Sequence, residues 1–101
     1  MLLNEKEIKN SQKKLAEISL KIEEKSSWHY LGTDQTRLKI IFLFKFYKEF
    51  CPTDFSKILN ISISAVSHRL KLLERAGLVK KVRMGRVICY MITKEGRRFL
   101  K

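Results

Sequence analysis

The chain of 101 residues holds two cysteines, one proline, four glycines and ten acidic residues. Cys51 and Cys89 are too few for a disulfide framework, and their spacing matches no zinc knuckle. A reducing, cytoplasmic setting is therefore expected. The longest uninterrupted apolar run is Ile40-Ile41-Phe42-Leu43-Phe44, far short of the roughly 20 residues that span a bilayer, so no membrane partner is expected. The N-terminus, Met1-Leu2-Leu3-Asn4-Glu5-Lys6-Glu7, lacks the apolar core of a signal peptide. A nucleophile with its base, a glycine loop that cradles phosphate and a cluster of metal ligands are all missing. Neither an enzyme nor a bound cofactor or metal is expected. Repeats, low-complexity tracts and an interdomain linker are absent too, so residues 1–101 read as one domain.

What the chain has in excess is positive charge: 22 Lys and Arg against ten Asp and Glu, a formal +12. Residues 1–50 hold ten basic and seven acidic residues, a balance of +3, whereas residues 51–101 hold twelve and three, a balance of +9. Such an excess favours a polyanionic partner, and its position assigns that partner to the C-terminal half. Hydrophobic residues make up 45%, enough for a folded protein. A domain this small buries a modest core, and a second copy can cover leftover apolar surface.

Asn4 can cap a helix, with Glu5 and Glu7 suited to its positive end. Ile8, Leu15, Ile18 and Ile22 then form a narrow stripe, which suits packing on another helix, from a second protomer or from its own domain. This helix, within residues 1–27, is expected to contribute to dimerisation. Residues 26–32 break the pattern, and Thr33 or Asp34 can start a second helix. Leu38, Ile41, Phe42, Phe44 and Phe46 make that helix apolar around most of its circumference, hence central, until Pro52 ends it near Phe50. Thr53 can cap a short helix over 54–59, closed by Asn60 in the left-handed conformation. Ser62 caps the next helix, whose Val66, Leu70 and Leu73 face inward and which Gly77 ends. Residues 78–83 and 87–92 alternate as strands around a tight turn at Met84-Gly85. Thr93 caps a last short helix, which Gly96 weakens.

The fold class expected from this order is mainly α with a small β-hairpin, a winged helix-turn-helix in the order α-α-α-α-β-β-α. The major groove of double-stranded DNA accepts an α-helix, and the first residues of such a helix reach base edges. Ser64, Ser67 and His68 lie opposite the buried face and carry both donors and acceptors. Ala65 and Ile63 can meet thymine methyls. Arg69 and Lys71 sit lower and suit phosphates. Lys80, Lys81, Arg83 and Arg86 flank or occupy the hairpin over 80–88, a wing that can follow the backbone or enter the minor groove. Ser62 reads as a cap without a DNA role.

The run from Ser64 through His68-Arg69-Leu70-Lys71-Leu72-Leu73-Glu74-Arg75-Ala76-Gly77-Leu78-Val79 resembles the ArsR/SmtB-type winged-helix repressors. Arg83-Met84-Gly85-Arg86-Val87 with Tyr90 continues the likeness, which reaches back through Phe46-Tyr47-Lys48-Glu49-Phe50 and covers about residues 34–92. The ending Tyr90-Met91-Ile92-Thr93-Lys94-Glu95-Gly96 is also similar to MarR-type regulators. The resemblance implies a homodimer that binds a palindromic operator and represses transcription. It also implies a dimer interface on the first and last helices, here Ile8, Leu15, Ile18, Ile22, Phe99 and Leu100.

Two departures bear on metals. Arsenic- and cadmium-sensing members carry paired cysteines where this chain has Cys51 and Thr53, and one thiolate is a poor basis for a soft-metal site. Zinc- and nickel-type members place His and carboxylate ligands on the last helix, where this chain has Glu95 and no His. The family also commonly has histidine at the position of Arg69, which leaves base preference open. Cys51 reads either as a small apolar packing residue or as an oxidation sensor, alone or bridging to another protomer. Cys89 reads as core, and His29 as structural or solvated. The competing function is a winged helix that docks protein, for which an apolar wing or outer helix face would be the mark.

Overall fold

Asn4 opens the first helix through a reciprocal cap. Its side chain accepts from the Glu7 backbone N–H at 2.8 Å, and its own N–H donates to the Glu7 carboxylate at 3.1 Å. The computed structural model describes residues 3–24, of which 18–24 by backbone alone, and residues 35–100. The expected connection over 26–32, His29, the helix start at Thr33 or Asp34, and the side chains of Ile18 and Ile22 lie outside the described residues. The elements are α1 (Glu5–Glu24), α2 (Gln35–Leu43), β1 (Glu49–Phe50), α3 (Pro52–Leu59), α4 (Ile63–Arg75), β2 (Val79–Met84), β3 (Val87–Ile92) and α5 (Lys94–Leu100). Among the described residues no helix is long and apolar enough to cross a membrane.

The order matches the expected one except for β1, and β1 corrects a boundary. The central helix stops at Leu43 rather than near Phe50. Its end tightens into bonds three residues apart, from Phe44 N–H to Ile41, Lys45 to Phe42 and Phe46 to Leu43. The chain then turns so that Glu49 and Phe50 pair with Met91 and Tyr90 of β3. Aromatic packing accounts for the early stop. Phe50 meets Phe44 edge-on at 5.2 Å and lies 4.6 Å from Phe55, with all three rings buried. The start of α3 is corrected as well. Cys51, not Thr53, occupies the N-cap, and Pro52 takes a first-turn position where a missing N–H is harmless.

The punctuation of α3 and α4 follows the sequence reading. Asn60 adopts φ 55°, ψ 49°, its N–H donating to Ser56 O. The Ser62 hydroxyl accepts from Ala65 N–H at 3.1 Å. Gly77 takes φ 78° after α4, letting Leu78 N–H reach Leu73 O at 3.0 Å. Val66, Leu70 and Leu73 are buried under α4, against α2, α3 and the start of β2. The three strands form an antiparallel sheet in the order β1-β3-β2. Thr93 does cap α5, its hydroxyl accepting from Gly96 N–H at 3.0 Å while donating to Gly77 O at 2.6 Å.

Within residues 3–17, α1 packs on α2 and α3 of its own chain. Gln12 donates to the carbonyls of Lys57 and Ile58 at 3.3 and 3.0 Å. Leu15 is 7% exposed and belongs to the main core cluster, with Ile8 half-buried against it. Leu100 is likewise buried and Phe99 half-buried. Of the residues expected in a dimer seam, Leu15 and Leu100 are thus covered already by their own chain.

Candidate nucleic-acid interface

Burying Val66, Leu70 and Leu73 decides which residues α4 turns outward. Ser64, His68 and Lys71 are exposed and, at i, i+4 and i+7, run along one side of the cylinder. Arg75, four residues on and also exposed, extends the same stripe. Sequence reasoning misses Arg75 although the spacing 64, 68, 71, 75 contains it. The Ser62 cap, accepting from the Ala65 N–H, fixes where the helix and its stripe begin.

Four other residues assigned to this helix are placed differently from the stripe. Arg69 is half-buried, and its guanidinium donates back to Ala65 O at 3.0 Å. It braces α4 from the side rather than joining Lys71 on the outer face. Ser67 is half-buried and turns toward the wing, and Ala65 is half-buried between stripe and core. Ile63 is 51% exposed at the helix start.

The wing leaves the body after Val79, which is buried. Beyond it Lys80, Lys81, Arg83, Met84, Gly85, Arg86 and Val87 are exposed. Alternation along β2 puts Lys81 and Arg83 on one face and Lys80 on the other, opposite Tyr90, Ile88 and Met91 respectively. Gly85, at φ 66°, makes the turn, which no residue with a Cβ adopts without strain. Between the wing, the first half of α4 and the start of α3 lies a groove of about 420 Å³, lined by Ile63, Ser67, Arg86, Val87 and Cys51 among others. The fold therefore joins three residues that the sequence assigned separately: Ile63 and Ser67 from the helix and Arg86 from the wing.

Cys51, which lines this groove, meets Cys89 behind it, with Cys51 Sγ 2.9 Å from Cys89 Sγ. Burial, then the hydrogen bond with Cys89, pushes the Cys51 thiol up to about 11. Cys89 is core, as expected, and Cys51 is buried with it. Among the described residues no group of three or more His, Cys, Asp or Glu gathers to hold a metal ion.

Comparison with known proteins finds similar sequences and structures. Residues 34–81 match the family model described as bacterial regulatory protein, arsR family. The chain is 32% identical over 63 residues to the cadmium resistance transcriptional regulatory protein CadC homolog of Staphylococcus aureus, covering 62% of this chain and 52% of that one. It is 39% identical over 64 residues to the putative arsenical resistance operon repressor ArsR of Halobacterium salinarum, covering 62% and 50%. The solved structure of a point mutant of Lactococcus lactis ZitR in complex with DNA superposes with a TM-score of 0.59 at 25% identity, covering 64% of this chain and 46% of that one. The chain spans about half the length of the curated relatives it matches. Residues 34–81 thus resemble the helix-turn-helix of the arsR family, set in a winged-helix fold.

Proposed function

We propose that this protein is a sequence-specific, double-stranded DNA-binding transcriptional regulator that acts as a dimeric repressor in the cytoplasm. One observation carries the reading: the outward stripe Ser64-His68-Lys71-Arg75 of α4 stands beside a wing bearing Lys80, Lys81, Arg83 and Arg86, with all eight exposed. Polar groups on a helix that fits the major groove can read base edges, and cations beside it can neutralise phosphates. The names of the relatives, a resistance regulator and an operon repressor, and the DNA-bound state of the ZitR mutant support it.

Protein docking is the competing use of such a module. Met84 and Val87 at the wing tip are 53% and 43% exposed, but Arg83 and Arg86 flank them, and scattered apolar surface residues of this kind are ordinary. The cationic surroundings favour DNA. Cadmium and arsenic, in the names of the relatives, do not suit this chain as effectors. Thr53 offers no thiolate to pair with Cys51, whose own sulfur lies against Cys89.

In the dimer, the seam falls on Ile8, Phe99 and the stretch of α1 that carries Ile18 and Ile22. Two copies of α4 would then enter major grooves about 34 Å apart. Selection of bound sequences from a random duplex library tests the whole reading. The expected product is a two-fold symmetric motif with half-sites about one helical turn apart. Absence of any binding to random duplex at about 100 mM salt, where non-specific affinity ordinarily reaches the micromolar range, would favour protein docking instead.

A further inference from the structure

Cys51 and Cys89 are 38 residues apart in sequence, yet their sulfurs meet at 2.9 Å, both as buried thiols. Strand pairing brings them together. Glu49 stands opposite Met91 and Phe50 opposite Tyr90, and one further step along that antiparallel ladder sets Cys51 opposite Cys89. Opposed residues in such a ladder hold their Cβ atoms about 4.5–5.5 Å apart, and a disulfide spans about 3.5–4.5 Å. The backbone on each side is fixed independently of the thiols. The Cys51 N–H donates to Asp54 Oδ2 at 2.7 Å, and Cys89 lies inside β3 opposite Val82 of β2.

We propose that Cys51 and Cys89 are a redox pair that closes reversibly into an intramolecular disulfide, bridging the start of α3 to the wing strand β3. The oxidant is a small peroxide, hydrogen peroxide in the simplest case. The Cys51 thiol gives up its proton as its sulfur attacks one peroxide oxygen, so that an S–O bond forms, the O–O bond breaks and hydroxide leaves. The Cys89 thiol then gives up its proton as its sulfur attacks the Cys51 sulfur, so that the S–S bond forms, the S–O bond breaks and a second hydroxide leaves. The two thiol protons convert both hydroxides to water, and two electrons pass from the sulfur pair to the peroxide. A small dithiol restores the pair by thiol–disulfide exchange and is itself oxidised to its disulfide.

The order of attack follows from position. Cys51 borders the groove between wing and α4, while Cys89 lies behind it with no exposed surface. The sulfurs need to close by less than about 1 Å to reach a bond of about 2.05 Å, so the fold can accept the bridge with little rearrangement. The loop thereby closed contains α3, α4 and β2, which is most of the helix-turn-helix and wing. Oxidation removes freedom from that loop in the unfolded chain and stabilises the folded one. The sequence offers Cys51 as an oxidation sensor that acts alone or bridges protomers; the ladder supplies its counterpart within the chain.

The test uses the full chain, reduced and then treated with hydrogen peroxide, denatured with an alkylating agent and weighed by mass spectrometry. The expected product is monomeric, lighter by two hydrogens and unalkylated, and a dithiol returns two alkylatable thiols. Its thermal midpoint rises by roughly 10 °C over the reduced form, and Cys51→Ser and Cys89→Ser lose that rise. Two alkylated thiols after peroxide, sulfinic acids without a bridge, or a bridge between chains would each overturn the proposal. The mass measurement needs neither variant to fold. It also needs no DNA, so failure of the reduced protein to bind any duplex would defeat the regulator reading and leave this one standing.

Discussion

The carboxylate of Asp54 fastens the beginning of the chain to the helix-turn-helix: its Oδ1 accepts from the Leu3 backbone N–H at 2.8 Å and its Oδ2 from the Cys51 N–H at 2.7 Å. The residue is 1% exposed, so neither N–H has water to fall back on. Asp54→Ala should lower stability by about 3 kcal/mol, because hydrogen bonds to a charged acceptor disappear and two buried donors are stranded. Urea unfolding measures the loss. Amide exchange should quicken at Leu3 and along the first turn of α1 more than in α4. Uniform quickening in both helices would mean that Asp54 does not specifically hold α1.

Gly96 occupies a close approach that no side chain fits. A Cβ there would run into the carbonyl oxygen of Leu78 and lie 2.6 Å from the Ile92 side chain. Gly96→Ala should therefore destabilise by about 2–3 kcal/mol, as overpacked sites do, although alanine is the better helix former. Gly77→Ala meets open space but a φ of 78° and should lose about 1–2 kcal/mol to backbone strain alone. Thermal melts of the two variants separate the mechanisms, since only Gly96→Ala should also loosen α5 from Leu78 and β3. A neutral Gly96→Ala would contradict this close fit.

Much of this fold is legible in the sequence because its signals are local. Asn60, Ser62, Gly77 and Thr93 act on groups within a few residues, through left-handed backbone or a side-chain cap, and each sits where the pattern puts it. Phe50 misleads because an apolar run cannot distinguish a longer helix from a turn followed by a buried strand; that choice rests on Phe55 and on β3, which lies about 40 residues on. The outward side of α4 is legible from its period, yet Arg75 escapes notice because it sits past the helix's reading end. The backward bond of Arg69 and the meeting of Cys51 with Cys89 depend on rotamer and strand register, which composition does not encode.

At the interface, the helix and the wing should fail in different ways. Arg83→Ala with Arg86→Ala removes two exposed wing cations. It should weaken operator and random duplex alike and flatten the slope of log affinity against log salt by about 0.9 for each phosphate no longer neutralised. Ser64→Ala with His68→Ala removes the first two groups of the outward stripe and should erode discrimination by about 1–3 kcal/mol for each base no longer read, leaving the salt slope nearly unchanged. Ser67→Ala, on the groove side, should do less than either pair. Binding titrations on both duplexes at several salt concentrations check all three. Equal losses on operator and random DNA for both pairs would remove the division between reading helix and supporting wing.

The Cys51 thiol couples stability to pH. Its ordinary value of 9.0 is raised to about 11, by burial first and by the hydrogen bond with Cys89 second. A group whose folded value exceeds its unfolded one stabilises the fold fully below the unfolded value, and that contribution is lost as pH rises through the folded value. The window therefore runs from about pH 9 to about pH 11. Among the described residues, the Cys89 thiol faces the sulfur, and the Asp54 carboxylate accepts from the Cys51 backbone N–H. Other alkaline groups contribute as well, among them the Tyr90 phenol, which is raised by burial first and then by Glu74. A difference measurement removes what they contribute equally to both proteins. Under reducing conditions, urea midpoints of the wild type and Cys51→Ser should run parallel up to about pH 9, and the wild type should then fall faster. Disulfide-bonded protein has no thiol to ionise and should follow the slope of the variant. Parallel wild-type and variant curves to about pH 11 would show that the buried pair does not hold its proton.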